Sequence, residues 1–449
     1  MTHSRDIELG DECPTPLSRL TELAKEDWAR RFYSIAHFLT PQALYEAFKE
    51  LSKHASAGVD GVTFQDYQKE LGRNLQELWE RVKSGKYRAQ PLRRVYIPKE
   101  DGKSERPISI PALEDKLVQG ATVRLLNAIF EADFLGCSYG SRPGRNPHQA
   151  LDEIDRVLFH EPITHVLELD IKSYYDSIVR KHLVEMIGRR VSDGSILRLI
   201  GKWINVGIIE GGRRLETEVG VGQGQVISPF LANVYLHVVL DKWFEDEVKP
   251  RLKGKAFLVR YVDDAVICFQ DKEDAQKVLK VLDKRFSNYG LTLHPEKTRL
   301  VEFGRSALEK AERMGRSPDT FDFLGLTHIP ERSRRGFYRP GVKTMKRRLR
   351  RGLKEIARWC KRNRHEPVNK QHEILNAKLR GHYQYYGRSS NLRSLWGFYY
   401  EVHGIWHKWL SRRTRGTAMS WIKFQNFLSR YPLLEPKITH TWASVRSPA

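Results

Sequence analysis

Asp263 and Asp264 stand side by side in FLVRYVDDAVICF, residues 257–269, between two runs of β-branched and aromatic residues. Aspartates gather in turns for local reasons, because the side chain bonds nearby backbone. Here the flanks argue for more than a surface turn. Phe257, Val259, Tyr261, Val266, Ile267 and Phe269 suit strands largely covered by protein. Two ionised carboxylates beside such strands repel each other and lose hydration, and a divalent cation relieves both costs. A metal site wants a further oxygen ligand. Asp170 offers one at the end of the short apolar strand in HVLELDIKSYYDSI, residues 165–178, the kind of strand terminus where α/β proteins build sites. Asp176 is the competing acid there; it lies further into polar sequence and reads as a cap. Three carboxylates on two strands suit two Mg2+ ions, with Mn2+ as a substitute. Two ions about 3.5–4 Å apart stabilise the attacking and leaving oxygens of a phosphoryl displacement. Adding a nucleotide to a 3′-hydroxyl is such a displacement.

The elements that must position these acids follow from periodicity. The spacing predicts a loose leader over the first 20 or so residues, then a helical pattern from about Ala24 to Lys53 with Thr40–Pro41 as a helix start. A further helix runs through Val82. Leu92–Pro98 alternates like a strand, and EDGKSERPISIP returns as its partner across Asp101–Gly102. Helices are expected over Ala112–Phe130, within Arg180–Val206, over Pro229–Val248 and over Asp274–Tyr289, with strands at Val166–Ile171 and Phe321–Leu326. After about Pro340 the composition turns basic and then aromatic, so a boundary is drawn near residues 330–342.

The chain carries 77 Lys and Arg against 55 Asp and Glu, a net charge of +22. That excess points to a polyanionic partner, nucleic acid first. Cys13, Cys137, Cys268 and Cys360 are scattered, which excludes a paired-cysteine zinc site and a disulfide framework and fits a reducing cytoplasm. The acidic, polar start is neither a signal peptide nor a transit peptide, and no apolar run reaches membrane-spanning length.

YVDD resembles the Y-x-DD signature of reverse transcriptases, and the motifs around it resemble those of bacterial group II intron-encoded reverse transcriptases, or maturases. SAGVDGVT, VYIPKEDGKSERPISIP, SYGSRPGRNPHQAL, DIKSYYDSI, GVGQGQVISPFLANVYLHVVLD, YVDD, LTLHPEKT and FDFLGL come in family order, and GHYQYYG and WLSRRTRG in the tail match as well. The resemblance implies an α+β, right-hand polymerase fold. Fingers and palm with a mixed β-sheet would span residues 25–335 after a leader over 1–24. An all-helical thumb, or maturase domain, would span 340–449, with no HNH endonuclease module. It implies Asp170, Asp263 and Asp264 as metal-binding catalytic residues, with the Ile171 carbonyl beside them. Lys99 and Arg106 would meet the triphosphate, Tyr175 would stand as a steric gate against the 2′-hydroxyl, Gln223 would lie over the nucleotide or template, and Lys297 would hold the nucleotide or primer end. Leu324 and Gly325 fall at the primer grip. The chain departs from the family at Gly222-Gln223-Gly224-Gln225, where PQGG is usual, and at Val262, where alanine is usual.

In the tail, Arg347, Arg348, Arg350, Arg351, Lys354, Arg358, Lys361 and Arg362 load a helical pattern with positive charge that can track a phosphate backbone. The aromatics at 383–409 read chiefly as core, with stacking on unpaired bases as their alternative. The implied partners are an RNA template, group II intron RNA above all, a DNA or RNA primer and deoxynucleoside triphosphates. The reading is an RNA-directed DNA polymerase of the bacterial cytoplasm that also assists intron splicing and mobility. Its rivals are a domesticated enzyme of DNA repair or phage defence, and a splicing cofactor that binds RNA without polymerising.

Overall fold

The computed structural model describes residues 16–98, 105–215, 219–413 and 419–441. Its strands are β1 (Leu92–Pro98), β2 (Glu105–Ile110), β3 (His165–Leu169), β4 (Ile208–Glu210), β5 (Arg213–Leu215), β6 (Ala256–Tyr261), β7 (Asp264–Phe269), β8 (Arg299–Glu302), β9 (Phe321–Phe323), β10 (Leu326–Arg332) and β11 (Tyr338–Thr344). They form an N-terminal sheet in the order β2-β1-β4-β5, a central sheet in the order β6-β7-β3-β8 and a third in the order β11-β10-β9. The β1–β4 pair is parallel and the other pairs are antiparallel. Helices pack around these sheets, so the fold is mixed α and β.

The central sheet is built from residues that want burial. Every residue of β3 is buried, and β7 is buried from Ala265 onward. The helix Leu113–Phe130 is covered along most of its circumference and serves as the hub of the main core through Leu117, Val118, Leu125 and Leu126. Local chemistry sets several helix starts. Thr40 accepts from the Ala43 amide with Pro41 in the first turn, and Asn146 forms a capping box with Gln149.

Three expectations differ from the structure. The pattern read as helical from Ala24 is broken. A helix spans Pro16–Glu26, most of it within the stretch read as a leader, and the next full helix is Pro41–Glu50. Between them the buried Arg190 guanidinium donates to the carbonyls of Ala24, Asp27, Trp28 and Arg30 at 2.7–3.1 Å. One distant side chain thereby satisfies backbone that a helix would otherwise have claimed. The boundary placed near 330–342 falls inside the β10–β11 hairpin, because that hairpin's turn carries basic residues of its own. Finally, the helix expected over Pro229–Val248 is α-helical only over Ser228–Leu236 and widens into a π-helix over His237–Val248.

Residues beyond β11 form helices Lys346–Arg362, Val368–Tyr386, Leu392–Leu410 and Trp421–Arg430 around a core of their own. Tyr383, Phe398, Tyr399 and Trp406 are buried in it, so most of the aromatic tract is packing. A final segment runs back across these helices. The Leu434 amide donates to Asn376, and the Thr439 and His440 amides donate to the Gly387 carbonyl. The His440 ring stacks on His148 at 3.8 Å. Nearby, Arg388 pairs with Asp152 and Asp155 at 2.6 Å and ties these helices to helix Pro147–His160.

Burial sets an acid limit on stability. Lost hydration lowers His148, His237 and His382 to about 4 and His328 to about 3. The unfolded chain binds these protons from about pH 6.5 downward, so stability falls as the pH drops from there toward 4. Asp115 and Asp155, raised by burial to about 6, and Asp264, raised to about 7, act oppositely below about pH 7 and offset part of this loss. His328 is fully buried, stacks on Phe321, and has neither ring nitrogen bonded. His328→Phe should reduce the drop in thermal midpoint between pH 7.5 and 5. An unchanged drop would assign the acid limit elsewhere.

Candidate active site

Register alone brings the three acids together. Leu169 of β3 pairs with Ala265 of β7, so Asp170, just past the end of β3, lies beside Asp264 at the start of β7. Tyr261 pairs with Asp264 across the hairpin, which leaves Val262 and Asp263 as a two-residue turn. All three acids line one cleft of about 530 Å3, together with Arg106, Lys297, Leu324, Gly325, Arg347 and Arg348. An adjoining pocket of about 300 Å3 adds Ile171, Tyr175 and Gln223 to Arg106, Asp170, Asp263 and Lys297. Lys99 lies outside the described residues. Arg350, Arg351, Lys354 and Arg358 sit exposed on helix Lys346–Arg362 and do not line the cleft.

The turn that carries the acids is strained and braced. Val262 has φ 58°, a left-handed value that a β-branched residue adopts only at a cost of about 1–3 kcal/mol. The backbone of Gly140 lies against it. A Cβ at residue 140 would fall 2.5 Å from the Val262 nitrogen. Beneath the turn Arg260 is wholly buried. Its guanidinium pairs with Asp241 at 2.5 and 2.7 Å, donates to Asn233 and Ser138, and donates at 2.8 Å to the Val262 carbonyl. Asn233 in turn donates to the Gly140 carbonyl at 2.7 Å. One buried network thus holds both sides of the turn.

The acids face cleft water but are crowded by protein. Lost hydration, with the Asp170 charge behind it, raises Asp263. Lost hydration and then the Asp263 charge push Asp264 up to about 7. Lys297 Nζ pairs with Asp170 at 3.0 Å, while Arg106 and Arg260 offset part of the rise of Asp263 from further away. Among the described residues, no three carboxylates, imidazoles or thiols already stand at metal-holding spacing. The donor set nonetheless fits divalent cations. It consists of hard oxygens, and Asp263 and Asp264 are each raised by a neighbouring carboxylate.

A second strained turn closes the cleft. Leu324 and Gly325, at φ 47° and 81°, link β9 to β10 as a tight hairpin loop. The Leu324 amide lies against the Asp264 carboxyl and offsets part of its rise, and the Leu324 carbonyl accepts from the Tyr385 hydroxyl at 2.9 Å. The glycine-rich loop departs from its expected form for a visible reason. Gln225 turns inward, where its side chain accepts from Gln119 and donates to the Trp203 carbonyl. That leaves Gln223 facing the pocket, with its carbonyl accepting from the Ser109 amide at 2.7 Å.

The sequence reading passed over Glu168, Arg299 and Asp322, which also line the cleft and bond to one another. Glu168 is the lone charge in a fully buried strand, and that signal marks it. Arg260 offered the same signal inside FLVRYVDD.

A family model described as reverse transcriptase (RNA-dependent DNA polymerase) matches residues 97–328. Protein YkfC of Escherichia coli is 32% identical over 358 residues, which is 71% of this chain and 88% of that protein. The group II intron-encoded protein LtrA of Lactococcus lactis is 28% identical over 280 residues, 60% of this chain and 46% of LtrA, so the chain spans less than half of that relative. The putative COX1/OXI3 intron 1 protein of Saccharomyces cerevisiae is 28% identical over 272 residues. Among the described residues, no helix is long and apolar enough to cross a membrane. With the family model over half the chain and a relative matched along most of its length, the chain belongs to the reverse transcriptases, RNA-directed DNA polymerases, and it is similar to group II intron-encoded proteins.

Proposed function

We propose that the cleft adds deoxynucleotides to a primer on an RNA template, with Asp170, Asp263 and Asp264 holding two Mg2+ ions beside the Ile171 carbonyl. The observation that carries this is the meeting of Asp170 with the sequence-distant pair Asp263 and Asp264 in one cleft, that pair raised by crowding and by neighbouring carboxylate charge. When bound, such ions lower the pKa of the attacking hydroxyl and neutralise the triphosphate. The remaining work falls to the chain. Arg106 forks onto phosphate oxygens, Lys297 holds the Asp170 carboxylate in place through their 3.0 Å pair, and Gln223 lies against the nucleotide. Leu324 and Gly325 hold the primer end. In this reading the N-terminal and central sheets are fingers and palm, and the helices after β11 are the thumb. The test is extension of a labelled primer on an RNA template in Mg2+, where absence of any product overturns the assignment.

Tyr175 edges the nucleotide pocket, where its ring would clash with a ribose 2′-hydroxyl. Tyr175→Ala should raise ribonucleotide incorporation at least about tenfold. Unchanged sugar discrimination would remove Tyr175 from that role.

Intron RNA is the proposed second partner, held in part by the exposed basic face of helix Lys346–Arg362. Converting Arg350, Arg351, Lys354 and Arg358 to Gln should weaken RNA binding and lower its salt slope by about 2–3, while extension of a short primer continues. An unaltered slope would mean that this face is merely solvated.

A further inference from the structure

Glu168 lies two residues before Asp170, and strand alternation turns both side chains to one face of the central sheet. Register sets Glu168 opposite Val266 of β7 and Arg299 of β8. A carboxylate on a buried strand is costly unless its oxygens are engaged. Here both are. One pairs with the Arg299 guanidinium, and the other accepts from the Asp322 backbone amide at 2.7 Å. Glu168 lines the same cleft as the three acids, yet its oxygens are already committed to protein.

The Asp322 amide is the informative partner. Asp322 belongs to β9, an edge strand of the third sheet, and that sheet shares no ladder with the central one. Glu168 supplies the acceptor that a neighbouring strand would otherwise provide. Phe321 and Phe323 of β9 are buried in one core with Val166, Val266 and Val301 of the central sheet. Such packing is non-directional, so it presses β9 onto the sheet without fixing its position along it. A hydrogen bond is directional and can fix that position. Two residues beyond Asp322 comes the Leu324–Gly325 turn, whose Leu324 amide lies against the Asp264 carboxyl.

We propose that Glu168 is a positioning residue: by holding the Asp322 amide it sets where the Leu324–Gly325 turn stands over the acids, and so where a primer end comes to rest. The proposal rests on the polymerase reading for what the turn holds.

Two measurements on the whole chain test it. Glu168→Met removes the acceptor and keeps the bulk, whereas Glu168→Gln keeps an oxygen for the Asp322 amide. Hydrogen exchange across residues 321–326, read without metal, nucleotide or duplex, should quicken about tenfold in Glu168→Met and stay near wild type in Glu168→Gln. In primer extension Glu168→Met should lower kcat about a hundredfold, the scale of a misplaced reacting group. Duplex affinity, which phosphate contacts dominate, should stay within about twofold. Glu168→Gln should bring kcat back to within about fivefold of wild type. If Glu168→Met misfolds, Asp322→Pro replaces it, because that change deletes the amide hydrogen and leaves the carboxylate. Faster exchange with unchanged kcat overturns the proposal and makes the contact one of stability alone. A fall in kcat without faster exchange, or an equal fall in Glu168→Gln, assigns the effect to the charge and overturns it too. So does a loss of duplex affinity in step with kcat. Wild-type extension is run alongside. Its absence sinks the polymerase reading, whereas exchange that Glu168→Met leaves unmoved sinks the positioning contact alone.

Discussion

Asp263→Asn and Asp264→Asn should each abolish primer extension, by at least about a thousandfold, and at the same time leave the metal-free protein no less stable. The two effects have one cause. Each acid stands in a crowded cleft beside another carboxylate, and both are raised above the ordinary range. In the absence of cations the pair is a liability, so removing one charge relieves repulsion. Sites that hold charge in transition states are worth several kcal/mol, and each 1.36 kcal/mol is a factor of ten in rate. The check is a thermal midpoint beside a rate. Wild type should gain stability on adding Mg2+, and the variants should lose most of that gain. A variant that loses activity because it unfolds, or one that keeps extending primers, would deny these acids their role.

Arg260→Met should cost about 3–5 kcal/mol of stability, the penalty for leaving a buried partner charge alone. The partner is Asp241, itself fully buried on the π-helical stretch His237–Val248. The double variant Arg260→Met/Asp241→Leu should recover most of that stability, because paired replacement by apolar groups is often neutral. It should not recover activity. The Val262 carbonyl and Asn233 would still lack the guanidinium that braces them, and the strained turn would be free to relax away from φ 58°. Denaturant midpoints and extension rates on the same three proteins decide it. If the double variant regains both, the network serves stability alone.

Much of the site could be read from the chain because strand periodicity and the family motifs act locally. The alternating flanks of Asp263 and Asp264 announced the hairpin, and Asp170 at the end of a short apolar strand announced its neighbour. Thr40–Pro41 named a helix start from two residues. What stayed hidden depends on distant partners. Nothing near residue 24 reveals that Arg190 will claim the carbonyls there and interrupt a helix. Gln225 looks like a departure until Gln119, more than a hundred positions earlier, is seen to receive it.

The contact from Tyr385 through Leu324 to Asp264 carries a mechanical consequence. The Tyr385 hydroxyl, on helix Val368–Tyr386, grips the Leu324 carbonyl, and the amide of that same residue lies against the Asp264 carboxyl and lowers it. Under the polymerase reading proposed above, a duplex seated against that helix would bear directly on the alignment of the acid. A helix pulled out of place disarms the chemistry without touching it, so the enzyme would idle until its substrate is gripped.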